Sequence, residues 1–226
     1  MILFFQVLMV NGIDRAGAAV GRALLLDMVD LLTGPGAQAQ QLLQAVSVHL
    51  MFDVNPLASD VDCTSNQSNT TMMSGAIEET LLRFIAQEKF AMIVAPSLRS
   101  IGVNGMSNSD LKKKYEQQLA AEYLKNFKGE PGKCDRDHGE YSLLKRVAED
   151  FSGSVTLDVG VSCCSADVAQ VVESNGAAMV KLLMAARQGI AGVVTSQSGE
   201  PLARAVVRLT SSASSSLPQT VAPADA

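Results

Sequence analysis

Only two histidines, His49 and His138, and four cysteines, Cys63, Cys134, Cys163 and Cys164, occur in the 226 residues. These are the side chains that most readily hold zinc or act as nucleophiles near neutral pH. No Cys-x-x-Cys pair is present, which argues against a zinc ribbon or a thioredoxin-type redox centre. Cys163 and Cys164 are not expected to bond to each other, and no His is placed to activate a thiolate, so both read as structural. Asp135, Asp137, His138 and Glu140 cluster after Cys134. Hard-cation loops need a longer ligand pattern than this, so the cluster reads as a solvated loop. Arg15 stands just before a helix start, where free N–H groups and the dipole favour an anion. It is a candidate anion pocket, weighed against the plainer reading of an outward-facing or loop-bracing Arg. Asn66-Gln67-Ser68 and Asn69-Thr70-Thr71 are candidate glycosylation sites in a polar loop, relevant if the parent protein is secreted.

The elements that would position these residues alternate. Residues 2–10 read as a buried strand, too short an apolar run to span a bilayer and without the basic flank of a signal peptide. Asn11-Gly12 is a turn. Val20, Leu24, Met28 and Leu31 recur at helical spacing within 16–32, and Gly34-Pro35-Gly36 stops that helix. A short helix over 37–45 leads to an alternating strand, Val46 to Met51, closed by Asn55-Pro56. Residues 58–74 are a polar loop. Helix 77–87, strand 90–95, helix 110–127, loop 129–139, strand 155–162 and helix 170–187 follow, with Leu111, Tyr115, Leu119 and Tyr123 along one face of the fourth helix. Strands alternating with helices predict an α/β fold with a mixed, mostly parallel sheet flanked by helices.

Composition fits this. Hydrophobic residues are 47 % of the chain, enough for a packed core. Net charge is −5, from 18 Lys+Arg against 23 Asp+Glu, with no basic stripe to suggest nucleic acid. The run Lys112-Lys113-Lys114 reads as a solvated helix face. After residue 187 the character changes: Gly189 to Val194 and Ala205 to Leu209 read as two strands around a turn at Ser198-Gly199-Glu200-Pro201. A β-sandwich needs about seven strands, so 188–210 reads as the start of one. Residues 211–226, rich in Ser, Ala and Pro, are expected to be disordered.

Five segments, in order, resemble the zinc metallocarboxypeptidases of the carboxypeptidase N/E subfamily. Ala19-Val20-Gly21-Arg22-Ala23-Leu24-Leu25-Leu26 looks like the helix after that family's first zinc motif. Val48-His49-Leu50-Met51 with Asn55-Pro56 looks like the strand before its Asn-Pro-Asp-Gly turn. Val161-Ser162-Cys163-Cys164 is similar to its Ser-Cys-Cys strand end. Gly189 to Val194 and Ser198 to Val207 resemble the first hairpin of the transthyretin-like domain that follows the catalytic domain. Asp60 to Asn66 resembles the degenerate stretch of an inactive branch, the third domains of carboxypeptidase D proteins. The resemblance implies residues 1–187 as a carboxypeptidase-like domain, without counterparts of the family's leading strands.

Such an enzyme holds one zinc with His-x-x-Glu and a distant His, polarising a carbonyl and a water. A Glu serves as base, and an Arg captures the substrate carboxylate. By the resemblance, the zinc-ligand positions are Arg15, Ala18 and Ser97, and the base position is Gly160. Asp158, two residues earlier and on the same strand face, is a weak substitute. The carboxylate-binding pair falls on Asp60 and Val61, and the Tyr that closes over substrate falls on Gly153. With two histidines in the whole chain, three-ligand chemistry of this type fails by residue count. The resemblance therefore implies a pseudoenzyme without zinc, in the secretory pathway, with a peptide or protein ligand in the old cleft and no membrane span in this segment. The competing expectation is an active carboxypeptidase with non-standard ligands.

Overall fold

The computed structural model describes residues 5–13, 18–55, 75–98, 100–129, 132–133, 142–151, 153–163, 167–186, 196, 206–207 and 222–223. The chain divides into two units, one of Phe4–Arg187 and one of Met1–Leu3 with Gln188–Ala226.

The larger unit runs β1 (Phe5–Val10), α1 (Ala18–Thr33), α2 (Ala37–Leu43), β2 (Val46–Met51), α3 (Gly75–Glu88), β3 (Met92–Ser97), β4 (Ser100–Gly105), α4 (Asp110–Asn126), β5 (Gly132–Lys133), α5 (Ser142–Asp150), β6 (Val155–Val161) and α6 (Val168–Ala186). Its six strands lie in the order β2-β1-β3-β6-β4-β5. The first four run parallel, and β4 is antiparallel to both neighbours. The mixed, mostly parallel α/β sheet expected from the sequence is thus present.

Alternation within the strands divides the core in two. Val7, Met9, Met92, Val94, Leu157, Val159 and Val161 point to the side covered by α1, α2, α4 and α6. Leu8, Val10, Ile93 and Ala95 point to the side covered by α3 and α5. The central strands are apolar on both faces because helices cover both. Two buried polar pairs tie α4 into the unit. Tyr123 donates to Asn175 Oδ1 of α6, and Asn175 Nδ2 donates to Val161 O at 3.0 Å. Glu116 accepts from the Ser107 hydroxyl and backbone N–H just beyond β4.

Three elements depart from the sequence reading. Leu31 is 39 % exposed, and Leu32, at 6 %, continues the buried stripe. Steps of four from Val20 through Leu24 and Met28 land on Leu32, and a step of three carries Leu31 off that line. β4, Ser-Ile-Gly-Val-Asn-Gly, was not expected; Gly102, Asn104 and Gly105 are poor strand formers. Gly102 adopts φ +150 within it. α5 was also not anticipated, although its Leu143, Leu144 and Val147 are buried against Phe90 and Ile93.

In the smaller unit, β7 (Val206–Val207) pairs antiparallel with β8 (Ala222–Pro223). The hairpin expected over 189–209 otherwise lies outside the described residues. The observed partner of Val206–Val207 falls within the segment read as a disordered tail.

Candidate functional site

The chain leaves β1 to form β2 on one side of it, then crosses to form β3 on the other. α1 and α2 cover one face and α3 the opposite face. This reversal is a topological switch point at the C-terminal ends of β1 and β3, the kind of position at which open α/β sheets bind ligands. The residues there are Asn11-Gly12 after β1, Ala18 in the first turn of α1, Phe52-Asp53 after β2, and Ser97 at the end of β3.

Asn11 fixes this end of the sheet. Its side chain is 1 % exposed and donates through Nδ2 to Ala18 O and to Phe52 O, both at 2.8 Å. Its backbone N–H donates to Met51 O, and its carbonyl accepts from Val54 N, each at 3.0 Å. One residue therefore joins the ends of β1 and β2 to the start of α1. Gly21 makes room for it: a Cβ there would lie 2.0 Å from Asn11 Oδ1. Gly12, at φ +87, sits against the Asp53 carboxylate, where a side chain would be both strained and crowded. Asp53 pairs with Arg22, their side chains 17 % and 40 % exposed. A pair this open is worth about 0.2–1 kcal/mol.

A second group of polar residues lies on the α3/α5 face of β3, β6 and β4. Ser97 is 2 % exposed and opposes Gly160 across the β3–β6 pair. Asp158 opposes Ala95 on one side and Asn104 on the other, and Asn104 Nδ2 donates to Asp158 Oδ2 at 3.2 Å. The period of two puts Ser97, Asp158, Gly160 and Asn104 on one face. Asp158 and Thr156 are both fully buried, and the Thr156 hydroxyl has no hydrogen-bond partner among the described residues. A carboxylate at this depth could accept a proton or hold a cation only for a group brought into the sheet face itself.

The structure thus brings Ser97, Gly160 and Asp158 onto one face of the sheet, whereas Ala18 begins α1, the helix that covers the opposite face. Gly153 is not with them. It lies exposed before β6, at the opposite end of that strand from Gly160. Arg15, Asp60, Val61, Asn66, Asn69, His138 and the cluster around it lie outside the described residues. His49 is on β2, with Ser47 Oγ 3.2 Å from its Nε2 and its ring edge-on to Phe90 at 5.1 Å. Cys163 is disulfide-bonded.

At the positions the resemblance assigns, the donor set does not fit a zinc ion. Ala18 carries no donor, and Ser97 offers a neutral, buried hydroxyl. Among the described residues, no three His, Cys, Asp or Glu side chains converge in a way that could hold a metal. Asn11, Arg22 and Asp53 had no site role in the sequence reading. Asn11-Gly12 signalled only a turn, and the partners of Asn11 lie 7 and 41 residues away.

No protein-family description matches the chain, and no curated protein matches it. Among solved structures, it is similar to a protein provisionally named carboxypeptidase A from Shewanella denitrificans OS-217, at TM-score 0.54 and 12 % sequence identity. The match covers 80 % of this chain and 58 % of that one, so this chain spans less than two thirds of that neighbour's length. A likeness at this identity concerns architecture alone, and the conclusion it carries is that the α/β unit has a carboxypeptidase-like fold.

Proposed function

We propose that this chain is a catalytically inactive relative of the zinc carboxypeptidases, a binding or scaffold module of the kind found as the third domain of carboxypeptidase D. Its ligand is a peptide or protein segment held at the sheet's switch point, with Arg15 contacting an anionic group of that ligand. The observation that carries this reading is the pair Ala18 and Ser97. The resemblance assigns metal-ligand roles to these two positions, and neither side chain can serve as an ordinary ligand. The lack of a Glu at Gly160 supports the same conclusion. A secretory-pathway setting is supported by the disulfide at Cys163, since such bonds persist in oxidising compartments, and by the sequons at Asn66 and Asn69.

A second reading is an active enzyme that removes basic C-terminal residues with displaced ligands. Asp158 is the observation on its side, a buried carboxylate on the face that carries Ser97 and Gly160. Zinc content of the purified protein, measured with release of C-terminal Arg or Lys from a peptide, separates the two. The expected result is no zinc and no release from a protein that melts cooperatively. Stoichiometric zinc with release overturns the pseudoenzyme reading and directs mutagenesis to Asp158 and His49.

A further inference from the structure

Three of the chain's asparagines are followed by glycine: Asn11-Gly12, Asn104-Gly105 and Asn175-Gly176. In this dipeptide the backbone nitrogen of the second residue attacks the side-chain amide of the first most readily, because glycine puts no Cβ in the way. The fold treats the three differently. Asn11 and Asn175 are 1 % and 0 % exposed. Asn11 Nδ2 is held by Ala18 O and Phe52 O. Asn175 Nδ2 is held by Val161 O and Val171 O, within a helix whose hydrogen-bond ladder also occupies the Gly176 nitrogen.

Asn104 is exposed. It is the last residue but one of β4, and among the described residues β5 pairs with β4 at Ser100 and Ile101, the other end of the strand. Met106 N–H donates to Thr156 O at 3.0 Å. Hydrogen-bonded and non-hydrogen-bonded pairs alternate along an antiparallel ladder, so the Gly105 N–H points away from β6. Packing also forces glycine at 105, because a Cβ there would overlap the Glu116 carboxylate of α4. The fold thus excludes every residue that would shield Asn104. The Asn104 amide meanwhile donates through Nδ2 to Asp158 Oδ2 at 3.2 Å, and Asp158 is fully buried.

We propose that Asn104-Gly105 is a self-modification site, where deamidation replaces a donor to Asp158 with a second carboxylate. The step needs rotation of the Asn104 backbone, which the end of a strand allows at less cost than a sheet interior or a helix. The Gly105 nitrogen bonds to Asn104 Cγ, and the Cγ–Nδ2 bond breaks. The amide nitrogen leaves as ammonia with the Gly105 proton. Water then opens the cyclic imide, giving aspartate or its isoaspartyl form, in which the chain runs through the side chain. Water is the sole co-reactant. In the aspartate product two carboxylates face each other across the 104–158 pair, and like charges directly opposite disfavour the pairing of β4 with β6. The modification therefore loosens β4 as the folded chain ages.

The test is incubation of the intact folded chain at mildly alkaline pH, with peptide mapping by mass spectrometry of the amide-to-acid conversion at each Asn. The expected result is conversion at Asn104 roughly tenfold or more faster than at Asn11 and Asn175, with the three rates converging in urea. Comparable rates at all three sites in the folded chain, or no conversion at Asn104, overturn the proposal. The consequence is read from urea titrations of Asn104→Asp and Asn104→Ala. Both lose the donation to Asp158, so the added charge shows as a lower midpoint for Asn104→Asp near neutral pH. That gap should close at a pH low enough to protonate carboxylates. Equal midpoints near neutral pH overturn the loosening of β4.

Discussion

Asn11 is the side chain on which β1, β2 and α1 converge. Asn11→Ala removes both Nδ2 donations and leaves two carbonyls short of a donor. The expected loss is about 1–3 kcal/mol, read as a fall in Tm of about 2–4 °C per kcal/mol. Gly21→Ala should act through the same contact, since its methyl would occupy the space of Asn11 Oδ1. At Tyr123, burial pushes the phenol well above its ordinary 10, and its hydroxyl donates to Asn175 Oδ1. Tyr123→Phe leaves that oxygen buried without its donor and should lower unfolding free energy by about 1–3 kcal/mol in a urea titration. The phenol also sets a pH dependence. Above the ordinary value the unfolded chain loses this proton while the folded chain keeps it. Stability therefore falls as pH rises past about 10, and Tyr123→Phe should flatten that limb of the curve.

At the scale of the element, α1 offers a direct comparison of neighbouring leucines. Leu32 is buried between the sheet and its covering helices, and Leu31 is 39 % exposed, with its Cδ1 beside Gly176 of α6. Leu32→Ala should cost about 2–5 kcal/mol and Leu31→Ala less, about 1 kcal/mol, measured as the shift in urea midpoint at constant slope. The same helix packs against α6 at Gly176, whose Cα lies close to the Asp27 carboxylate. Burial, helped by the charge of Asp30, raises the Asp27 pKa above its ordinary 3.8. Between 3.8 and the raised value the folded chain binds more protons than the unfolded one. Stability thus falls as pH rises through that window and is level above it. Asp27→Asn should be the more stable protein near pH 7, with the advantage vanishing in melts taken below pH 3.8. β4 makes the opposite point about elements. Its Gly102, Asn104 and Gly105 are poor strand formers, yet pairing with β6 along Ile101 to Gly105 makes it a strand. The Glu116 carboxylate lies against Gly105 and accepts from Ser107, which fixes where that strand ends.

At the scale of the whole molecule, Phe4–Arg187 is a unit with its own two-sided core. A chain ended at Arg187 should still unfold in one cooperative transition by circular dichroism, with stability within about 1 kcal/mol of the full chain. The long helices and the central strands were legible in the sequence because their signals are local. Leu24 and Met28 recur at the helical period, Gly34-Pro35-Gly36 stops a helix, and apolar runs such as Met92 to Ala95 suit a sheet covered on both faces. The absence of enough histidines was legible too, since it needs only counting. Strand order, the switch point between β1 and β3, and the place of β2 at the end of the strand order among the described residues were not. Nor were the contacts of Asn11 with Ala18 and Phe52, of Arg22 with Asp53, and of Ser97 with Gly160. Each joins residues whose separation along the chain is set by crossovers and carries no local periodic signal. The sequence by itself determined which segments could bury apolar surface and how few histidines the chain carries. The tertiary structure decided which polar groups come together, because long-range pairing satisfies buried backbone and side-chain groups only once the whole sheet is assembled.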